Sequence, residues 1–356
     1  MNFSFNCPKI DTFIIVKYWI KLIIFSLTFF GSLKPSYSQD VHFSQRLAAD
    51  RQRNVAFTNQ YEGNWQAMTI YRQQWQSIGV PFNTSGFFLT KKIHTKLTAL
   101  DFFAGVTFLN DQSGDAKLNS NQLSFNIGAA YTYGKNIFSL AVSNSFVLKS
   151  FSQAGLTFPS QYDRNEGRFN ESFDNGENFA GDNLNYYDLG FGLLFERKLN
   201  AQWFLRSGFS MLHVNEATES FFDQDNDKNM GYGFQFVADY LYSEYITVEP
   251  YLSFYRAKGA SETILGSAVI FNASSFGPVN NIAPFLYLRT GVDRLTDAII
   301  LGSRADFSNF QVGASYDFNV SELEIASNYR GGFELSLLFT LPEEKLKTKR
   351  IPCERY

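Results

Sequence analysis

The feature that most constrains this chain is strict alternation of apolar residues with small or polar ones. Leu123, Phe125, Ile127, Ala129, Tyr131 and Tyr133 alternate with Ser124, Asn126, Gly128, Ala130 and Thr132. Phe310, Val312, Ala314, Tyr316 and Phe318 alternate with Gln311, Gly313, Ser315 and Asp317. Phe333, Leu335, Leu337, Phe339 and Leu341 do so with Glu334, Ser336, Leu338 and Thr340. A period of two belongs to a strand, whose successive side chains point to opposite faces. Runs of about 9–11 such residues match a tilted strand crossing a bilayer.

Similar runs at 65–76, 84–91, 100–109, 138–142, 187–197, 202–214, 231–242, 245–255, 262–272, 284–293 and 297–306 bring the expected number to about 14 strands. Aromatic residues make up 17% of the 356, yet mean hydropathy is -0.18. A helical membrane protein is more apolar than that, whereas a barrel averages a lipid-facing half with a polar half. The connections alternate in length. Gly134–Asn136, Lys198–Ala201, Ser243–Glu244 and Phe307–Asn309 are short, while Asn110–Asn121, Lys149–Tyr186, Asn215–Met230 and Asn319–Gly332 are longer. Short periplasmic turns and long outer loops are the pattern of an all-β transmembrane antiparallel barrel in an outer membrane.

The N-terminus fits export. Lys17 and Lys21 precede an apolar run from Leu22 to Leu33, and Ser36 and Ser38 give a small-x-small cleavage site before Gln39. The expected layout is therefore a signal peptide at 1–38, a periplasmic N-terminal segment at 39–64, the barrel at 65–341 and a periplasmic tail at 342–356. That tail is basic, with Lys345, Lys347, Lys349, Arg350 and Arg355. Of the two cysteines, Cys7 leaves with the signal and Cys353 is alone, so the exported chain makes no internal disulfide.

An Arg or Lys facing lipid at mid-membrane costs ~2–4 kcal/mol, so strand charges are expected to point inward. The inward set is Arg72, Asp101, Asp188, Glu196, Arg206, Asp239, Glu249, Arg289, Asp317 and Glu334. Both signs together point to ion-paired networks that close the lumen. Gly105, Gly128, Gly190, Gly192, Gly208, Gly233 and Gly313 share that face. Strand curvature is their expected role, with room for a plug segment as the alternative.

Chemistry is sparse. His42, His94 and His213 lack a second ligand at metal spacing, so no metal or other cofactor is expected. His213 has no serine marked as its partner, which leaves it an interfacial histidine. The loop from Asp223 to Asn229 begins like a calcium loop but has Lys228 where Gly is needed and Phe234 where Glu is needed. A solvated acidic loop is expected there, with weak calcium binding as the alternative. The formal net charge of -3 argues against a nucleic-acid partner.

Three stretches carry a family resemblance: QDVHFSQRLA, GNWQAMTIYRQQWQSIGVPFNTSG and FQVGASYDFNVSELEIASNYRGGFELSLLF. Together they resemble the PorP/SprF family of the Bacteroidota type IX secretion system. The family's Phe-Ser-Gln segment falls on Phe43, Ser44 and Gln45. Its Tyr-Arg-x-Gln-Trp strand falls on Tyr71, Arg72, Gln74 and Trp75. Its final hairpin falls on Gly313, Ser315, Tyr316, Asp317, Phe333, Glu334, Ser336 and Leu337. Arg294 and Asp297-Ala298-Ile299-Ile300 are similar to its late Asp-Ala-hydrophobic segment. The chain departs at Asn54-Val55-Ala56, where the family often has Asn-Pro-Ala.

The resemblance implies a non-enzymatic outer-membrane barrel that supports secretion of cell-surface proteins, gliding adhesins among them. Its implied partners are a cargo's C-terminal sorting domain, type IX translocon or periplasmic motor components, and outer-membrane lipid. The expected docking surfaces are loops 149–186 and 319–332 outside, and residues 39–64 and the basic tail on the periplasmic side. An uptake channel for a small or hydrophobic solute is the alternative reading.

Overall fold

The computed structural model describes residues 40–342, apart from 76–78, 96–98, 155, 178, 180, 223–225, 274–276, 292–295 and 322–327. The strands are β1 (Trp65–Gln74), β2 (Phe82–His94), β3 (Leu100–Ser113), β4 (Leu118–Tyr133), β5 (Asn136–Ser150), β6 (Tyr162–Asp163), β7 (Arg168–Phe169), β8 (Asn183–Lys198), β9 (Trp203–Leu212), β10 (Gly231–Ser243), β11 (Ile246–Ala257), β12 (Ala260–Asn272), β13 (Asn281–Thr290), β14 (Thr296–Asp306), β15 (Phe310–Asn319) and β16 (Arg330–Leu341). Among the described residues, fourteen of these close one barrel in which β16 pairs back with β1. The short β6–β7 hairpin stands apart, inside the long loop between β5 and β8.

The alternation sets the two faces. Phe125 and Ile127 on β4 and Leu301 on β14 are 58%, 61% and 53% exposed on the outer surface, an apolar belt suited to lipid. Their neighbours Asn126 and Ile300 point inward and are buried. Closure pairs every strand edge, which removes the unsatisfied backbone groups that hydrocarbon cannot solvate. No described helix is long and apolar enough to cross a membrane.

The two classes of connection are less regular than expected. Asn110–Asn121 is mostly strand, because β3 runs to Ser113 and β4 begins at Leu118. β11 and β12 meet at the long-loop end through only Lys258 and Gly259, where Gly259 takes a φ of 75°. Residues 273–280 make the connection at the short-turn end longer than its neighbours. The signal peptide, Arg294 and residues 343–356 of the tail lie outside the described residues.

The largest departure concerns the segment expected in the periplasm. Residues 40–61 run inside the barrel, so the 39–64 assignment is corrected. This stretch holds an α-helix, Arg46–Arg53, and a 3-10 turn, Val55–Asn59. Phe43, Ser44, Ala48, Asn54 and Ala56 have no accessible surface. Asn54 ends the helix with an extended φ of -147° and its side-chain oxygen accepts from Ala56 N at 3.0 Å. The Asn54 side chain therefore closes the turn that carries Val55.

Candidate functional site: a filled lumen

The plug segment is fixed at three levels. Near the long-loop end, Asp40 Oδ2 accepts from Tyr255 OH at 3.0 Å and lies 3.0 Å from His213 Nε2, while Asp40 Oδ1 pairs with Lys228 at 2.9 Å. The other ring nitrogen of His213 is 2.7 Å from Asp188. His213 follows β9 with a φ of 57°, a left-handed conformation that turns its ring into the lumen between the two carboxylates. Burial opposes the charge on His213, but hydrogen bonds to Asp188 and Asp40 outweigh it and raise its pKa. Burial likewise pushes the Asp40 carboxyl up, and Lys228 and His213 overcome this to hold it well below its ordinary range.

The second level is a buried node built on the family motif. The backbone N–H groups of Ser44 and Gln45 donate to Glu334 Oε1 and Oε2 at 2.7 and 2.9 Å. Ser44 Oγ donates to Asp317 at 2.7 Å. Arg72 donates to Glu334 at 2.6 Å and to Asp317 at 2.9 Å, and Arg289 donates to Asp317 at 2.9 Å and to Asp297 at 3.0 Å. Arg72, Asp317 and Glu334 are 2%, 1% and 0% exposed, so removing one member leaves an uncompensated buried charge. Beside the node, Phe43 belongs to a buried apolar cluster with Met68, Ile70, Phe88 and Leu338.

The third level lies toward the short turns. Glu249 accepts from Arg46 at 3.1 Å and from Arg304 at 3.2 Å, and Arg206 joins it at 3.8 Å while also pairing with Asp239. Arg46 also pairs with Asp50 at 3.2 Å, and Tyr251 OH donates to Asp50 at 2.8 Å. Gln60 donates to Glu196 at 2.5 Å. Higher up, Arg53 pairs with Glu262 at 3.0 Å and stacks over the Tyr255 ring at 3.9 Å. A cavity of about 670 Å³ remains at the short-turn end, lined by Arg51, Gln60, Lys198, Arg206, Arg304 and Gln311 among others.

Several inward glycines admit the plug, a role ranked behind curvature on the sequence. A Cβ on Gly192 would collide with Asn54 and sit 2.8 Å from Ala56 N. One on Gly208 would run into Phe57 and sit 2.7 Å from Asn54 Nδ2. Asn54 Nδ2 uses that closeness to donate to the carbonyls of Leu193 and Phe209 at 3.1 and 3.2 Å.

Of the candidate residues, Phe43, Ser44, Gln45, Arg72, Arg289, Asp297, Asp317 and Glu334 meet in or beside the second level. Gln74 accepts from Arg72 at 3.3 Å at its edge. Glu196, Arg206, Asp239 and Glu249 meet in the third level, and Asp188 in the first. Asp101 does not join them: its side chain is 44% exposed at the end of β3, 3.3 Å from His94. Tyr71 and Tyr316 face outward; Tyr71 OH donates to Asn83 at 2.9 Å and Tyr316 packs on Phe318 at 4.9 Å. Trp75 directly follows β1 with a φ of 64°.

The sequence reading passed over Asp40, Arg46, Asp50, Arg53, Glu262 and Arg304, and noted Asn54 only as a departure from the family pattern. Glu262 and Arg304 share the inward parity of buried Ile264 and Ile300, which was a usable signal. In the acidic loop Lys228 pairs with Asp40 and, at 3.8 Å, with Glu219. Residues 223–225 of that loop lie outside the described residues, and no metal-holding group of acids or histidines occurs among the described residues.

Solved barrels of similar outline include the toluene transporter TbuX of Ralstonia pickettii, at 9% identity, covering 82% of this chain and 93% of that one with a TM-score of 0.46. A TodX deltaS2S3 mutant monoaromatic hydrocarbon channel matches at 10% identity over 85% and 95%, with a TM-score of 0.48. A Pseudomonas aeruginosa FadL homologue matches at 9% over 82% and 93%, with a TM-score of 0.47. Likenesses this distant carry no argument about what passes through this barrel. No curated protein matches the chain. The model of the type IX secretion system membrane protein PorP/SprF matches residues 36–339. The chain therefore belongs to the PorP/SprF family of type IX secretion system membrane proteins.

Proposed function

We propose that this protein is a sealed, non-enzymatic barrel of the outer membrane that binds a partner of the type IX machinery. In this reading it supports secretion or surface anchoring of a cargo protein with a C-terminal sorting domain. The observation that supports it is the filled lumen: the buried plug and its ion pairs, Arg46 with Glu249 and Arg53 with Glu262, occupy the space a solute would need. What remains for recognition is the surface. The long loop between β5 and β8 offers exposed aromatics, Tyr162, Phe169 and Phe173, on a rigid rim, and loops on a rigid scaffold are where binding concentrates. The short-turn cavity and the basic tail are the surfaces for translocon or motor components.

The test is affinity purification of the tagged protein from outer membranes. Recovery of a large surface protein bearing a type IX sorting domain, or of translocon components, supports the reading. Steady single-channel currents from the purified protein in planar bilayers would overturn it in favour of a solute channel.

A further inference from the structure

We infer that the exported chain begins at the cell surface, with its N-terminal segment threaded through the barrel from the long-loop mouth to the short-turn mouth. The inference rests on the reading above that the long loops face outward.

The direction of the thread follows from contacts at its two ends. Asp40 meets His213 and Lys228, which both belong to the connection between β9 and β10 at the long-loop end, and Tyr255 near the outer end of β11. Gln60 meets Glu196 and Arg206, beside the short turn between β8 and β9. Tyr61 OH donates to the Thr90 carbonyl near the short-turn end of β2, and Asn64 N donates to the Leu341 carbonyl, the last residue of β16. Between these ends the chain is buried among wall residues at every level, from Ser44 on Asp317 to Asn54 on Gln235.

Asp40, whose two oxygens are taken by Lys228, His213 and Tyr255, holds the start of the threaded segment at the long-loop mouth.

The experiment places a short epitope between residues 39 and 40 of the full-length protein and probes intact cells with antibody. In parallel, single cysteines at Val41, Asn165 and Glu244 in a Cys7→Ser, Cys353→Ser background are treated with a membrane-impermeant maleimide. Asn165 lies in the long loop and Glu244 in a short turn, and both are exposed. The expected result is that the epitope and Asn165→Cys react on intact cells, Val41→Cys reacts there at least in part, and Glu244→Cys reacts only after lysis. If Asn165→Cys reacts outside while the epitope and Val41→Cys react only after lysis, the threading is wrong and the orientation stands. If Glu244→Cys reacts outside and Asn165→Cys does not, the orientation itself is wrong. Should the epitope block assembly, the Val41→Cys result decides alone.

Discussion

The backbone N–H of Ser44 donates to the Glu334 carboxylate at 2.7 Å, across 290 positions of sequence. A residue of the plug segment is thus held by the last strand of the barrel, the strand that also closes it against β1. Plug and closure share one buried node.

Glu334→Ala removes the acceptor for Ser44 N, Gln45 N and Arg72 at once. The expected loss is ~3–5 kcal/mol, the usual cost of orphaning one side of a buried pair. A fall in the urea midpoint of the detergent-solubilised protein, with new protease cleavage between residues 40 and 61, is the expected result. Cleavage and midpoint unchanged would falsify the role of this node.

Gly208→Val tests the close approach of the plug. The added side chain meets Phe57 and Asn54, and overpacking of this kind costs ~1–3 kcal/mol. Circular dichroism should keep its strand signal while the plug becomes protease-sensitive, because the collision is with the plug and not with the hydrogen-bonded ladder.

Leu301→Arg places a charge on the lipid face at mid-strand. The expected penalty is ~2–4 kcal/mol, read as a lower yield of the heat-modifiable folded band on gels. The same change at an outer-loop position such as Asn165 should have no measurable effect.

The outer latch should respond to pH in both directions. The His213 pKa is raised above the ordinary imidazole value of about 6.5, so its contribution is complete below about 6.5 and is lost as pH climbs through the higher folded value. Asp40 and Glu219 are lowered, so theirs is present above the ordinary carboxylate range of about 4 and is lost as pH falls through their folded values. Asp188, Lys228 and Tyr255 complete the set of groups that face the ring and the Asp40 carboxylate. Maleimide reaction at Val41→Cys, taken at each pH relative to the exposed Asn165→Cys so that thiol ionisation cancels, should be slowest at mildly acidic pH and rise on either side. In a His213→Asn background the alkaline limb should disappear.

The barrel was legible because its determinant is local. Each strand must show lipid an apolar residue at every second position, and a run such as Phe310–Phe318 states this without reference to any other part of the chain. Parity then assigned Arg72, Asp188, Glu249, Asp317 and Glu334 to the interior. Asp101 keeps the inward parity of Phe103 but lies near the short-turn end of β3, 44% exposed, and so stays apart from the buried network.

The plug was not legible, and the reason is physical. Residues 40–61 have neither a period of two nor an apolar helical stripe, since the surface they bury against is itself charged. Arg46, Arg53 and Asn54 resemble a solvated segment until Glu249, Glu262 and Gln235 are brought to them from 181 to 209 positions away. Sequence alone determined that this chain is a membrane barrel and, through Tyr71–Trp75 and Gly313–Asp317, the family to which it belongs. Only the closed tertiary structure decided what fills that barrel, because buried charges choose partners by distance in space and leave no period along the chain.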